Sequence, residues 1–309
     1  MGGVIHDSAH ARPLKIDRAA DCRTTADLAA ADAVVAFAGS VLALDGRLVE
    51  IAPAERPPTS LVIYLGREHD RDLVAVVPQD PSFGTAHDGI GGERMVGLRE
   101  FFQLSQVHGE AGQRDSELAA TAVAISTWHA NHPRCAVCGE PTEPSMGGWV
   151  RRCAACDKEH YPRTDPAVIV AITDPEDRLL LAHAGYWSAR RFSHLAGYVE
   201  PGESLEQAVH REVFEEAGLR VRDLEYVGSQ PWPFPASVMV GYRAQVDDVA
   251  ITVDGEEITE ARFFTRDELT AAVAEGSVIV APQGSIARRM LEEWYGGEVV
   301  EPSRATASG

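Results

Sequence analysis

The sequence predicts an α+β fold class: an N-terminal mixed α/β domain, a small cysteine-built module and a C-terminal α/β/α sandwich. Three observations predict it. Short apolar runs among turn-forming residues fill much of the first 130 residues and lead into one long helical stripe. Two Cys-x-x-Cys knuckles follow. From Asp165 onward, strand-like runs resume around a helix with one acidic face. The boundaries that result are 1–130, 131–161, 162–296 and a disordered tail over 297–309, which ends in EPSRATASG.

In the first domain, residues 33–38 (AVVAFA), 60–66 (SLVIYLG) and 73–78 (LVAVVP) read as strands, with Pro53, Pro57 and Pro58 breaking the chain between the first two. Ser116 to Ala130 reads as a helix, with Leu118, Ala119, Val123, Ala124 and Trp128 on one stripe. Cys22 stands alone and reads as a small apolar core residue.

The knuckles are Cys135-x-x-Cys138 and Cys153-x-x-Cys156, with fourteen residues between them. That spacing suits a tetrahedral Zn²⁺ site. Disulfides are the alternative and need an oxidising compartment, which nothing in the sequence suggests. Four thiolates leave no position for water, so the zinc is expected to be structural. His132 and His160 flank the knuckles as bystanders.

In the third domain, 167–173 (AVIVAIT) and 178–184 (RLLLAHA) form a predicted hairpin, and Phe192 to Leu195 leads to the acidic helix, Ser204 to Ala217. Ser204 with Gln207 makes a capping box, and Gly218 is a helix-ending residue. Leu205, Ala208, Val209, Val213 and Phe214 are expected to face the core. Further strands are expected at 224–228, 237–246 and 261–264, and a last helix over 284–295. On the acidic helix, Glu212, Glu215 and Glu216 fall at i, i+3 and i+4 and share a face, with Arg211 beside them and Glu203 one loop earlier. Like charges on one face repel. Hard divalent cations such as Mg²⁺ or Mn²⁺ take oxygen ligands and offset that repulsion, an arrangement suited to attack on phosphate.

Composition excludes several classes. The formal net charge is −19, which disfavours nonspecific nucleic-acid binding. No run of eighteen apolar residues is present, so no membrane-spanning helix is expected. The N-terminus lacks a signal-like apolar stretch, making the cytoplasm the expected compartment.

The segment GYVEPGESLEQAVHREVFEEAGL resembles the Nudix box, G-x5-E-x7-R-E-U-x-E-E-x-G-U. Gly197, Glu203, Arg211, Glu212, Val213, Glu215, Glu216, Gly218 and Leu219 fill its defined positions. Ten residues later stands SQPWPFPAS, whose alternating prolines predict a stiff extended backbone presenting Trp232 and Phe234 for stacking on a flat base. Four cysteines, box and array together resemble the NADH pyrophosphatase branch of the Nudix hydrolases. The resemblance implies a zinc ribbon, a Nudix sandwich, and hydrolysis of NADH to reduced nicotinamide mononucleotide and AMP, with removal of NAD caps from RNA as a further activity. It implies that Glu212, Glu216 and the main-chain oxygen of Ala196 bind metal with Glu215 close by, and that Glu257 supplies a later ligand, its neighbours Glu256 and Glu260 being alternatives. It implies substrate contacts from Tyr161, from Gln230, Pro231, Trp232, Pro233, Phe234, Pro235, Ala236 and Ser237, from the main chain of Ala287, and from Arg99. It also implies a homodimer.

From the residues, Arg211 is expected to orient Glu203 through a bidentate pair. Glu215 either binds metal or acts as general base. Arg151, Arg152, Arg163, Arg190 and Arg191 are the candidate local patch for RNA, against ordinary solvated surface. The competing functions are hydrolysis of another nucleotide, such as ADP-ribose or a dinucleoside polyphosphate, and a non-catalytic nucleotide sensor.

Overall fold

The structure, a computed structural model, describes residues 13–80, 82–83 and 92–301. The chain divides into two compact units, Met1–Thr164 with Trp232–Ala236, and Asp165–Pro231 with Ser237–Gly309. Among the described residues no helix is long and apolar enough to cross a membrane.

The first unit is built on a seven-stranded sheet of β1 (Asp32–Phe37), β2 (Ser40–Leu44), β3 (Arg47–Leu48), β4 (Glu50–Ile51), β5 (Thr59–Glu68), β6 (Arg71–Pro78) and β7 (Arg94–Gly97). Its path runs β3-β2-β1-β6-β5, with β4 on β1 and β7 on β2. Side chains alternate along β1: Val34 and Ala36 enter one cluster, Ala33 and Val35 another. The first cluster is covered by α1 (Leu98–Ser105) and α2 (Gly109–Asn131). The second is lined by Ala19, Cys22, Ala26 and Leu28, so Cys22 has the packing role expected of it. Helix α2 starts seven residues earlier than its apolar stripe, at Gly109 rather than Ser116, and α1 was not expected at all. A Cβ on Gly112 would lie 1.8 Å from the Ser105 carbonyl oxygen, so the two helices meet at that glycine.

Strands β8 (Thr142–Ser145), β9 (Val150–Cys153) and β10 (Glu159–His160) form a three-stranded sheet carrying the cysteines. This module is tied to the rest of its unit by buried polar contacts. Trp149 Nε1 donates to the Tyr64 carbonyl at 2.7 Å, and His129 Nε2 donates to the Gly148 carbonyl at 2.7 Å. Residues 1–130 and 131–161 therefore share one compact unit.

The second unit is a six-stranded sheet of β11 (Asp165–Thr173), β12 (Leu179–Ala184), β13 (Leu195–Tyr198), β14 (Val221–Trp232), β15 (Ser237–Val246) and β16 (Ile258–Phe264). The order is β14-β15-β11-β12-β16, with β13 on β11. Val168, Val170 and Ile172 face α3 (Leu205–Ala217), while Ile169 and Ala171 face α4 (Arg266–Ala274) and α5 (Ile286–Tyr295). A sheet covered on both sides is the α/β/α sandwich. Phe214 departs from expectation: it is 49% exposed, because it lies a full helical step beyond Val213 and off the core face, with the Arg220 guanidinium 4.8 Å from its ring. The disorder expected from 297 does not begin there. Val299 is buried, and Arg288 donates to the Val299 carbonyl and to Glu301. The rest of the expected tail, 302–309, lies outside the described residues.

Asp115, 1% exposed, accepts from Arg47 Nε at 2.5 Å, from the Leu48 N–H at 3.2 Å and from Arg114 Nη1 at 2.9 Å. Removing it leaves the buried Leu48 donor unmet. Asp115→Ala should lower stability by about 2 kcal/mol in urea denaturation with an unchanged m-value.

Candidate active site

Strand β13 and helix α3 bring the acidic residues together. β13 lies antiparallel to β11, with Ala196 opposite Ile169 and Gly197 opposite Val168. α3 begins at Ser204, whose Oγ accepts from the Gln207 N–H at 3.2 Å while Gln207 Oε1 accepts from the Ser204 N–H at 2.8 Å. It ends at Gly218, whose φ is 70°. Between these caps the helix face carrying Glu212 and Glu216 lies against β13. A Cβ on Gly197 would sit 2.0 Å from Glu212 Cδ, so a side chain at 197 and the Glu212 carboxylate cannot coexist in this arrangement.

Arg211 holds this side of the site. Its Nε and Nη2 bind Glu203 at 2.6 and 2.9 Å, Nη1 binds Glu212 at 2.9 Å and Glu215 at 3.1 Å, and Nη2 also donates to the Tyr198 carbonyl at 2.9 Å. The bidentate grip holds the Glu203 carboxyl down to about 2, and a second bond from the Glu200 N–H assists. Glu203 and Arg211 together pin the loop 200–203 to the helix.

Glu216 has the opposite environment. It is 4% exposed, and among the described residues its Oε2 has no partner. Burial pushes its carboxyl up to about 8, and the charges of Glu212, Glu257 and Asp254 push the same way against a bond from the Ala196 N–H. Glu212 is also raised, first by burial, despite its bond to Arg211. An orphaned buried oxygen among carboxylates that repel one another fits a hard divalent cation. Of Glu256, Glu257 and Glu260, it is Glu257 whose charge bears on both Glu212 and Glu216. Asp254 was not singled out from sequence. It reads there as the first half of an Asp-Gly turn, and its side chain does accept from the N–H groups of Glu256, Glu257 and Ile258, yet its charge also bears on Glu216.

The substrate candidates of the first unit form a cation–aromatic group. The Arg99 guanidinium lies 4.1 Å from the Phe234 ring centroid and 5.0 Å from that of Trp232. Trp232 and Phe234 meet edge to face at 4.9 Å, and Phe234 packs on the core cluster beside Phe102. The array is extended only as far as Trp232, the end of β14. The Phe234 N–H bonds the Trp232 carbonyl at 2.7 Å, and residues 233–236 form a turn. Pro233 is buried, Pro231 and Pro235 are exposed and Ala236 is intermediate. Tyr161, 63% exposed, donates to Glu159 at 2.7 Å and lines a cavity of about 390 Å³ with Trp128, His132, Arg134 and His160.

In the second unit, the Gln230 side chain points inward: Nε2 donates to the Gly284 carbonyl at 2.8 Å and Oε1 accepts from the Ile286 N–H at 2.7 Å. Ser237 is buried, its Oγ 3.2 Å from the Tyr198 hydroxyl. The Ala287 carbonyl accepts from the fully buried His194 Nε2 at 3.1 Å. The expected arginine patch is largely committed. Arg151 is buried on Thr142 and His129, Arg152 pairs with Asp157, and Arg190 donates to the Gly276 carbonyl.

The four cysteine sulfurs lie within 4.8 Å of one another, with Cys135–Cys156, Cys138–Cys153 and Cys138–Cys156 at 3.6, 3.5 and 3.5 Å. These distances exceed a disulfide bond of about 2 Å and approach the roughly 3.8 Å edge of a zinc tetrathiolate. His160 Nε2 stands 3.3 Å from Cys135 Sγ and supports a ligand rather than idling beside it.

A model of the NUDIX domain matches residues 163–282, and one of the NADH pyrophosphatase zinc ribbon domain matches 130–161. The NAD-capped RNA hydrolase NudC of Mycobacterium bovis and that of Mycobacterium tuberculosis are each 41% identical over 268 residues, covering 82% of this chain and 82% of theirs. The NAD-capped RNA hydrolase NudC of Salmonella paratyphi B is 40% identical over 179 residues, covering 57% of this chain and 65% of its own. Among solved structures, a NUDIX hydrolase from Nitrosomonas europaea aligns with a TM-score of 0.43 at 24% identity, over 54% of this chain and 96% of its own.

Two outcomes test this geometry. Gly197→Ala should weaken Mn²⁺ binding about tenfold or more by displacing Glu212, read by electron paramagnetic resonance titration. Cys156→Ser should lower both zinc content, by elemental analysis, and the melting temperature, while leaving that Mn²⁺ titration in place.

Proposed function

The chain belongs to the NudC family of zinc-ribbon Nudix hydrolases, and from that membership we propose that it cleaves the pyrophosphate bond of NAD(H) to NMN(H) and AMP and removes the NAD cap from RNA 5′ ends. The observation that carries this reading is the buried Glu216 carboxylate, one oxygen unpartnered, set among Glu212, Glu257 and Asp254. In this reading Glu212, Glu216, Glu257 and the Ala196 main chain hold Mg²⁺ or Mn²⁺. A cation bound there neutralises the diphosphate and lowers the pKa of the attacking water.

The protein's own groups do the rest. Arg211 keeps Glu203 and the 200–203 loop against α3, so the ligands meet the substrate without reorganising. Glu215, more open to solvent than Glu212 or Glu216, is placed to accept the proton of the attacking water or to join the ligands. Arg99 with Trp232 and Phe234 offers a charged aromatic surface for a flat ring, and Tyr161 lines a second. Gln230 and Ser237 serve by fixing the ends of the array, their side chains being committed internally. The family likeness also supports a homodimer.

AMP release is measured from NADH, NAD⁺, ADP-ribose and NAD-capped RNA with Mg²⁺ or Mn²⁺. Preference for the nicotinamide dinucleotides is expected, and faster release from ADP-ribose would redirect the assignment. Glu216→Gln should lower turnover about a hundredfold or more with fold and zinc content intact. A rate near that of the parent protein would remove Glu216 from the cation site.

A further inference from the structure

Tyr186 and Trp187, in the loop 185–191 between β12 and β13, enter none of the roles above, yet that loop borders the carboxylates. The Gly185 N–H donates to the Glu257 carbonyl at 2.9 Å, which sets Tyr186 next to Glu257. The tyrosine hydroxyl is held above its ordinary range, first by desolvation and then by the charges of Glu257 and Glu216, so the phenol oxygen senses both carboxylates. The residue as a whole is nevertheless 73% exposed.

Its surroundings are packed and hydrogen-bonded. Trp187 packs against the hydrophobic cluster under α3 and meets Tyr186 edge to face at 5.9 Å. The Arg191 guanidinium lies 5.0 Å from the Trp187 ring. The Trp187 N–H bonds the Ala184 carbonyl at 2.9 Å, and His183 Nδ1 donates to the Arg191 carbonyl at 2.8 Å. An exposed aromatic ring on a loop braced by these bonds, with a guanidinium nearby and catalytic carboxylates on one side, needs little backbone reordering to bind. A heterocycle attached to a diphosphate at those carboxylates would meet the ring, and the guanidinium favours the negative charge it brings.

We propose that Tyr186 is a substrate-binding residue of this site, its ring stacking on a flat heterocycle, nicotinamide or adenine, carried by the diphosphate. This rests on the NAD(H) reading above. It assigns the 185–191 loop to substrate recognition.

NADH is titrated by its own fluorescence into the parent protein, Tyr186→Ala and Tyr186→Phe without added divalent cation. KM and kcat are measured on NADH and on ADP-ribose with Mn²⁺. Tyr186→Ala should weaken NADH binding and raise KM about tenfold, the size of one lost base–aromatic stack, and Tyr186→Phe should restore most of it. A KM for ADP-ribose that stays unchanged identifies nicotinamide as the partner, and one that rises equally identifies adenine. NADH binding by Tyr186→Ala equal to the parent overturns the proposal, as does a loss in Tyr186→Phe as large as in Tyr186→Ala. If the parent releases no AMP from NADH, the functional reading fails, and the titration still judges Tyr186.

Discussion

The site depends on the crowding of carboxylates against a strand that has no side chain to offer at one position. Glu212 fits only because residue 197 is glycine, and Glu216 is driven into the same space with one oxygen unmatched. Alone, such a cluster costs free energy, since burial and mutual repulsion both oppose ionisation. Arg211 offsets part of that cost at the outer edge, where it grips Glu203, Glu212 and Glu215. Among the described residues its bonds go to Glu203, Glu212, Glu215 and the Tyr198 carbonyl rather than to Glu216, so the inner carboxylate is the one left for a cation. The asymmetry, with Glu203 held low and Glu216 pushed high, separates the loop that braces the helix from the buried carboxylate farther along it.

The zinc module solves a related problem with different chemistry. Four thiolates around one cation carry excess negative charge, and here His160 donates toward Cys135. Arg151, buried in the same module, bonds Thr142 and His129 rather than a carboxylate. His129 passes the connection on to Gly148, and Trp149 reaches Tyr64. Neutral hydrogen-bond partners thus tie the module to its neighbours in the first unit. This explains why residues that read as an independent ribbon cluster with the N-terminal sheet.

Much of this was legible because it is local. The capping box at Ser204, the helix stop at Gly218, the apolar run of β11 and the knuckle spacing are all set by residues a few positions apart. The pairing of Arg211 with Glu203 was legible too, since helix geometry and one short loop determine it. What failed were inferences needing the fold. Phe214 fell on the border between helix faces, and only packing could assign it to solvent. The alternating prolines suggested an extended backbone through the whole array, whereas the chain is extended only to Trp232 and then turns, with Phe234 packed on the first unit's core. Helix α4 was missed although Thr265 and Glu268 form a capping box like that of α3. Asp254 was hidden because its turn-forming role accounts for it in sequence, and its charge matters only through a neighbour brought there by β16.

Two buried polar side chains, Gln230 and His194, have bonding partners that a short-range reading does not reveal. Gln230 was singled out for its place in the array, as a direct contact. Its amide instead holds Gly284 and Ile286, at the start of α5, while His194, just before β13, holds the Ala287 carbonyl. Three segments that belong to the site by different criteria, the strand bearing Ala196, the entrance to the aromatic array and the start of α5, are therefore joined by hydrogen bonds inside one unit. Both ties are buried, where a lost partner is most costly. They convert separate loops into one frame, so the position of each segment follows from the others.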